Sequence, residues 1–363
     1  MKKSVWISMI VAGGLLLAGL ACIAVGHGLG GHTFLTQGDE SMGKTIHSTH
    51  YENRDFDRIR IDALSADVEL IPSEDGKCRI ITTDHKDVEY TVHVVEDTLT
   101  IRAIDNRAWY QHLSIGSTAN RSVQIYLPAK DFKSLSVDVT TGDVSIPRDF
   151  TFSGNVELSS NSGDLTLLAA VEGDTSLETT TGDITVEGKH KTVTASATTG
   201  DVTFRHVDAK ELTVSVTTGS IHVQKAVAVA VTAVAGTGDV ILEDVITDDV
   251  LRVTTTTGDQ DLRRVRCGGL SLRAGSGDIT LTESVALGHG DVEVTTGEVT
   301  FVRSDAVTLS VRCTTGSVKG TLLTPKIFAA FSTSGSIDVP KSTEGGLCEI
   351  KTTSGSIRIT VGE

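Results

Sequence analysis

Eight carboxylates each stand directly after a glycine: Asp143, Asp164, Asp183, Asp201, Asp239, Asp259, Asp278 and Glu298. Their glycines belong to a series that recurs every 18 to 21 residues, so the acids fall at equivalent places in a repeat. A stacked repeat would bring them together along one edge. Neighbouring like charges in water repel by about 1 kcal/mol or less, and Ca²⁺, which takes several carboxylate oxygens, would relieve that repulsion. The glycine-rich nonapeptide of calcium-binding β-rolls is absent. In other copies Ser220, Ser317, Ser336 and Ser356 take the same place. Aspartate and serine both favour turns by bonding local backbone, which accounts for the column without a ligand. The expectation is no cofactor, with Ca²⁺ at these eight acids as the alternative.

Other side chains offer less chemistry. The histidines are scattered, with no HExxH and no triad-like spacing. His206 and His222 lie in successive copies but at different positions. Parallel β-helices include polysaccharide lyases and hydrolases, whose sites need clustered carboxylates or a metal with a basic residue, often on long loops. The copies here are short and uniform, so no catalytic residue is expected. Four residues before the glycines stand Arg273, Glu293, Arg312, Phe331 and Lys351, which predicts an ion-pair ladder on an exposed face. Arg263, Arg264 and Arg266 form a basic patch that could touch anionic cell-wall polymers. Cys22, Cys78, Cys267, Cys313 and Cys348 are odd in number and fit no zinc or disulfide spacing. They read as isolated, mostly buried thiols. A net charge of −15 argues against a nucleic-acid binder.

The elements that position these residues follow from the repeat. The glycines are Gly142, Gly163, Gly182, Gly200, Gly219, Gly238, Gly258, Gly277, Gly297, Gly316, Gly335 and Gly355, and so regular a period marks a stacked-repeat protein. Five residues before each glycine the side chain is always apolar, from Val137 to Ile350. Two residues after it Gln260 is the one exception. Apolar residues alternate within each arm, as in strands. The alternation predicts that positions −7, −5, −3 and −1 face inward before the glycine, and +2 and +4 after it. The −1 place is Ser or Thr in every copy, from Thr141 to Ser354, and reads as an internal hydroxyl ladder. The fold class is therefore all-β: a parallel β-solenoid, β-helix-like, of about 12–13 coils of ~19–20 residues. One coil cannot offset the ~1–2 kcal/mol per residue of backbone ordering, so coils must stack.

A degenerate copy, "RIRIDALSADVELIP" at 58–72, fits the same register with Ala66 in place of glycine. Between it and the regular array, Glu96-Asp97 can turn a hairpin. This stretch also carries Trp109 and Tyr110 in a chain with only 4% aromatics, and reads as an N-terminal β cap over an open edge. Upstream, Lys2 and Lys3 precede 23 uncharged residues, 4–26, enough for one transmembrane helix. The lysines favour a cytoplasmic N-terminus. A cleaved signal peptide, or a lipoprotein signal ending at Cys22, are the alternatives. The organisation reads as a cytoplasmic N-terminus (1–3), a signal-anchor (4–26), a linker (27–55), an N-terminal coil and β cap (56–130) and the solenoid repeats (131–363).

These motifs resemble those of the bacterial membrane-anchored "putative adhesin" family of unknown-function domains. The resemblance rests on "SADVELIPSEDGKCRI", "DTLTI", "VQIYLP" and "LSVDVTTGDVSIP", which occur in the family's order, and on the repeated "TTGD" corners. It covers about residues 56–363. It implies a non-catalytic, membrane-anchored extracytoplasmic solenoid, adhesin-like or an envelope scaffold, presenting an elongated binding surface. An envelope-stress sensing or regulatory ectodomain is the alternative, with a carbohydrate-active enzyme behind both. The partners expected are the membrane, through 4–26, and a cell-envelope polymer or a surface or regulatory protein, with no nucleic acid.

Overall fold

The computed structural model describes residues 46–52, 54–84, 88–106 and 121–362. All of them fall in the unit Thr45–Glu363. The proposed membrane segment 4–26, Cys22, Trp109 and Tyr110 lie outside the described residues. Among the described residues there is no helix, and none long and apolar enough to cross a membrane.

The coil containing Gly219 shows how sequence becomes structure. Leu212, Val214 and Val216 point inward from the strand Val202–Thr218. The chain turns at Gly219, and Ile221 and Val223 point inward from Ile221–Gln224. A second corner at Lys225 leads to a third side, where Ala226 and Ala228 are buried. The next coil then begins. Coils stack in parallel with matched register, Ala195 beside Val214 and Val214 beside Ala233. Like meets like, and the apolar interior is continuous from coil to coil.

In the twelve regular copies the first corner needs glycine. The twelve corner glycines have φ between 137° and 154°, a region that a Cβ disfavours. Space is the second constraint. A Cβ on Gly219 would sit 2.1 Å from the carbonyl oxygen of Gly200, and the other corners are as tight. Corner backbone still bonds between coils: the Gly200 N–H donates to Thr218 O at 3.0 Å, and Val202 N–H to Ser220 O at 3.0 Å.

The −1 side chains do not point inward. Thr141, Thr181, Thr199, Thr218 and their equivalents are exposed. Alternation predicted otherwise because it allots the turn to the Gly-Asp step alone. The corner in fact turns over four residues, −2 to +1, whose side chains lie outside the buried core. Inward hydroxyls sit two residues earlier, in some coils only, since Val139, Ala197, Val216 and Ala235 take the same place in others. Ser160 Oγ donates to Gly142 O (3.3 Å), Thr179 Oγ1 to Gly163 O (3.2 Å) and Thr352 Oγ1 to Gly316 O (3.0 Å). These −3 groups satisfy corner carbonyls of a neighbouring coil. Gln260, the polar exception at +2, is buried and donates through Nε2 to Thr255 Oγ1 (3.1 Å) and Arg273 O (2.7 Å).

The stacking order departs from the sequence order at both ends. At the N-terminal end, Arg58–Ser65 lies between Thr98–Asp105 and Ser134–Thr141. Asp67–Pro72 likewise lies between Ser122–Leu127 and Val144–Ile146. Ala66 thus fills the corner above Gly142. At the C-terminal end, Gly346–Ser354 is inserted between Val299–Thr315 and Lys326–Ser334. Gly355 therefore stacks between Gly316 and Gly335. Antiparallel strands Val88–Val95, Cys78–Asp84 and Ile46–Glu52 add to the N-terminal layers, and Glu96 and Asp97 turn the hairpin with φ of 46° and 61°.

Each reordered end has its own fastening. Phe132 packs against Phe56, Phe150 and Phe152 with ring centroids 6.1–6.2 Å apart, and Lys130 Nζ donates to Phe56 O at 2.6 Å. At the other end Lys326 Nζ meets Asp305 Oδ1 at 2.8 Å, both side chains almost fully buried. Thr324 donates to Asp305 Oδ2 through its N–H (2.8 Å) and Oγ1 (2.6 Å), and Thr324 Oγ1 accepts from Lys326 Nζ (2.8 Å). A buried pair is tolerable when so many of its bonds are made.

Candidate functional site

The acidic column occupies the first corner, and its carboxylates bond backbone one coil away. Asp143 Oδ1 accepts from Asp164 N–H (2.8 Å), Asp164 Oδ1 from Asp183 (2.7 Å), and Asp183 Oδ1 from Asp201 (2.7 Å). Asp201, Asp239, Asp259 and Asp278 serve Ser220, Asp259, Asp278 and Glu298 in the same way. Asp67 begins the column by accepting from Asp143 N–H at 3.0 Å. The turn chemistry expected of Asp and Ser is therefore inter-coil rather than local. Among the described residues no group of three or more His, Cys, Asp or Glu side chains is gathered as a metal ion requires.

The second corner holds a charged column that the glycine alignment did not single out. His206, Lys225, Asp244, Arg264, Glu283 and Arg303 all have φ between 51° and 55°. Each stands six residues after a corner glycine. From Lys225 onward the signs alternate. Arg264 Nε meets Asp244 Oδ1 at 2.6 Å and its Nη2 meets Glu243 Oε1 at 2.5 Å. The guanidinium holds both acids below the usual carboxylate range and is itself held protonated. Arg263 pairs with Asp261. Arg263 and Arg264 thus have carboxylate partners, so two thirds of the expected basic patch is neutralised.

The predicted Arg273–Glu293–Arg312 ladder takes a different centre. Register does place Glu293 between the two arginines. Arg312, however, bonds Asp291 (3.1 Å), and Arg273 approaches Asp291 (3.7 Å) and Glu293 (3.9 Å). Lys351 lies beside Arg312 and pairs with Glu349, while Phe331 lies one layer further out. His206 and His222 are not brought together: one is at the second corner, the other on the short strand Ile221–Gln224. The four described cysteines are free and buried. Burial pushes Cys78 up to about 11 and Cys267 and Cys348 up to about 12, and also raises Cys313. Such thiols are poor nucleophiles.

A groove of about 730 Å³ runs along the third side from Asp131 to Asp248. Phe152, Val171, Ala209 and Ala228 form its apolar lining, and Lys189, Lys191 and Lys210 bring positive charge to it. Asp131, Glu172, Asp208 and Asp248 bring negative charge. Half-exposed Val227 and Val229 extend the apolar strip. His190 sits in line with Val171 and Ala209 and is buried. Its Nε2–H donates to Glu187 O at 3.0 Å, so Nδ1 accepts from Thr175 Oγ1 at 3.1 Å. Burial lowers its pKa below the ordinary histidine value. The sequence signal for this place was the interval from Gly182 to Gly200, the one 18-residue gap in the array. That shorter coil carries Gly188 (φ 102°) at the second corner, and a register shift there turns His190 inward.

The family model described as Toastrack DUF4097 matches residues 56–192, 187–319 and 265–363. The search of curated proteins finds no match. Among solved structures, a "putative adhesin" from Bacteroides fragilis NCTC 9343 is 12% identical, with a TM-score of 0.38, over 87% of this chain and 97% of that one. A "putative lipid binding protein" from Parabacteroides distasonis ATCC 8503 is 14% identical, with a TM-score of 0.33, over 88% and 98%. A "putative adhesin" from Parabacteroides merdae ATCC 43184 is 12% identical, with a TM-score of 0.30, over 88% and 97%.

Proposed function

The chain belongs to the Toastrack DUF4097 family, and from that premise we propose that it is a non-catalytic, adhesin-like or envelope-scaffold protein that binds along its solenoid. The observation that carries the reading is the third-side groove. It combines an apolar lining with charges of both signs, spread across successive coils. An elongated polymer or peptide would meet repeated contacts there, as repeat proteins use extended surfaces. Residues 4–26 would hold the chain in the membrane and 27–45 would tether the solenoid outside it. The expected linker stops short of residue 55, because Ile46–Glu52 is a strand paired with Cys78–Asp84, and the strands from 46 to 127 would cap the N-terminal end. The occupant proposed for the groove is a cell-envelope polymer or a surface protein segment.

Reversing the charge at the rim tests the reading. The full chain and its Lys189→Glu/Lys210→Glu variant are compared for retention on isolated cell envelopes. The variant should lose retention while keeping its melting temperature. Equal retention would overturn the groove as the binding surface. Deletion of the protein should lower surface adhesion; unchanged adhesion with altered envelope-stress transcription would favour the sensing alternative.

A further inference from the structure

The C-terminal end of the stack is an open layer. Among the described residues Lys326–Ser334 pairs on one side only, with Gly346–Ser354, and Ile337–Asp338 pairs only with Ile357–Val361. Its core positions are uncovered as well. Ile337 stands two residues after a corner glycine, where Ile184, Val202 and Ile221 are fully buried, yet it is 45% exposed. Phe328, Ala330 and Val339 are only partly buried. On the outer face Phe331 is 59% and Ile327 43% exposed. Such an edge is ordinarily blunted by charge, proline or a bulge. Here no charged residue occurs from Ile327 through Ile337, in a chain of net charge −15. The N-terminal end differs: its outer strands are antiparallel, and Val88–Val95 carries Glu89 and ends on Glu96 and Asp97.

We propose that this end is a self-association surface, completed by the same end of a second copy. What covers it must offer a strand to bond the open backbone and apolar residues to extend the core, and the end layer offers both. A two-fold axis through Ala329 would run the two Lys326–Ser334 strands antiparallel. Ile327 would then face Phe331 of the second copy, and Phe328 would face its Ala330, large against small. Both faces keep their parity, so core residues extend core. The axis sets no like charges opposite one another within 327–331. Two-fold pairing uses up both edges and closes the assembly. This inference does not rest on the groove.

The test uses the full chain in mild detergent, with mass read by light scattering. The wild type should be a dimer. Ile327→Lys with Phe331→Lys, both at exposed sites, should give a monomer that keeps the wild-type β-sheet circular dichroism and melts cooperatively, at a temperature lowered by loss of the dimer contact. A second measurement separates this contact from association elsewhere, including through 4–26. Thr333→Cys carrying a nitroxide should show a label-to-label distance of about 27 Å, eight residues of antiparallel strand. A wild-type monomer at every concentration, a dimer that survives the two lysines, or a dimer lacking that distance would each overturn the proposal.

Discussion

Asp164 Oδ1 accepts the backbone N–H of Asp183 from the neighbouring coil at 2.7 Å. The same bond recurs along the corner, so the most regular acidic feature of the chain is a rail of inter-coil hydrogen bonds. Exchange of Asp164 for alanine removes the acceptor and leaves an exposed amide to water. The expected loss is about 1 kcal/mol, measured by urea unfolding. Asp164→Asn keeps an acceptor oxygen and should lose less than half of that. If Ca²⁺ instead held the column, added Ca²⁺ would raise the melting temperature of the wild type and not of the asparagine variant. The rail predicts no such difference.

The two corners of a coil should respond in opposite ways to changes at Cα. Gly219→Ala places a Cβ 2.1 Å from Gly200 O, against backbone that cannot give way without breaking the ladder. It should destabilise by at least 3 kcal/mol, beyond ordinary single substitutions. Lys225, at φ 55°, holds a left-handed conformation despite its side chain. Lys225→Gly relieves about 1 kcal/mol of that cost and should be neutral to stabilising. Thermal unfolding of both variants checks the contrast.

Much of this architecture was legible in the glycine spacing and the apolar columns, because stacking forces equivalent residues into line. Thr141 was misplaced because parity counting allots the corner too few residues. The order of the ends was hidden for another reason. Gly316, Gly335 and Gly355 keep intervals of 19 and 20 residues whichever layer each coil occupies. Nothing local in Gly346–Ser354 marks it as the coil that slips inward. The groove was missed because Lys189, His190 and Lys191 lie far from the glycine on which copies align; only the shortened interval marks them.

The buried Lys326–Asp305 pair should govern that C-terminal order. Lys326 opens the outermost strand, and Asp305 belongs to a coil beyond the inserted Gly346–Ser354 layer. Lys326→Met leaves the Asp305 carboxylate buried without its cation and should cost about 3–5 kcal/mol. The loss should be local. Hydrogen exchange should rise first in 326–338 and 346–361, while amides near Val214 keep their protection. Uniform loss across all coils would contradict a local fastening.

His190 should make stability depend on pH in a defined window. Its folded pKa lies below the ordinary value of 6.5 because burial disfavours the imidazolium, and the Glu187 carbonyl only partly offsets this. The unfolded chain therefore binds this proton more readily than the folded one. The contribution to stability is complete above about pH 6.5. It is lost as pH falls from there toward the folded pKa. The surface carboxylates lowered by their partners, Asp174 beside Lys191 among them, act only as pH falls through the lower carboxylate range. Between pH 7 and 5 the slope of unfolding free energy should thus carry a His190 component. In His190→Gln, whose amide can still donate to Glu187 O, that component should vanish while the acid limb below pH 4.5 remains. An unchanged slope between pH 7 and 5 would mean that His190 is protonated as readily inside the coil as in the unfolded chain, contrary to its burial beside Thr175.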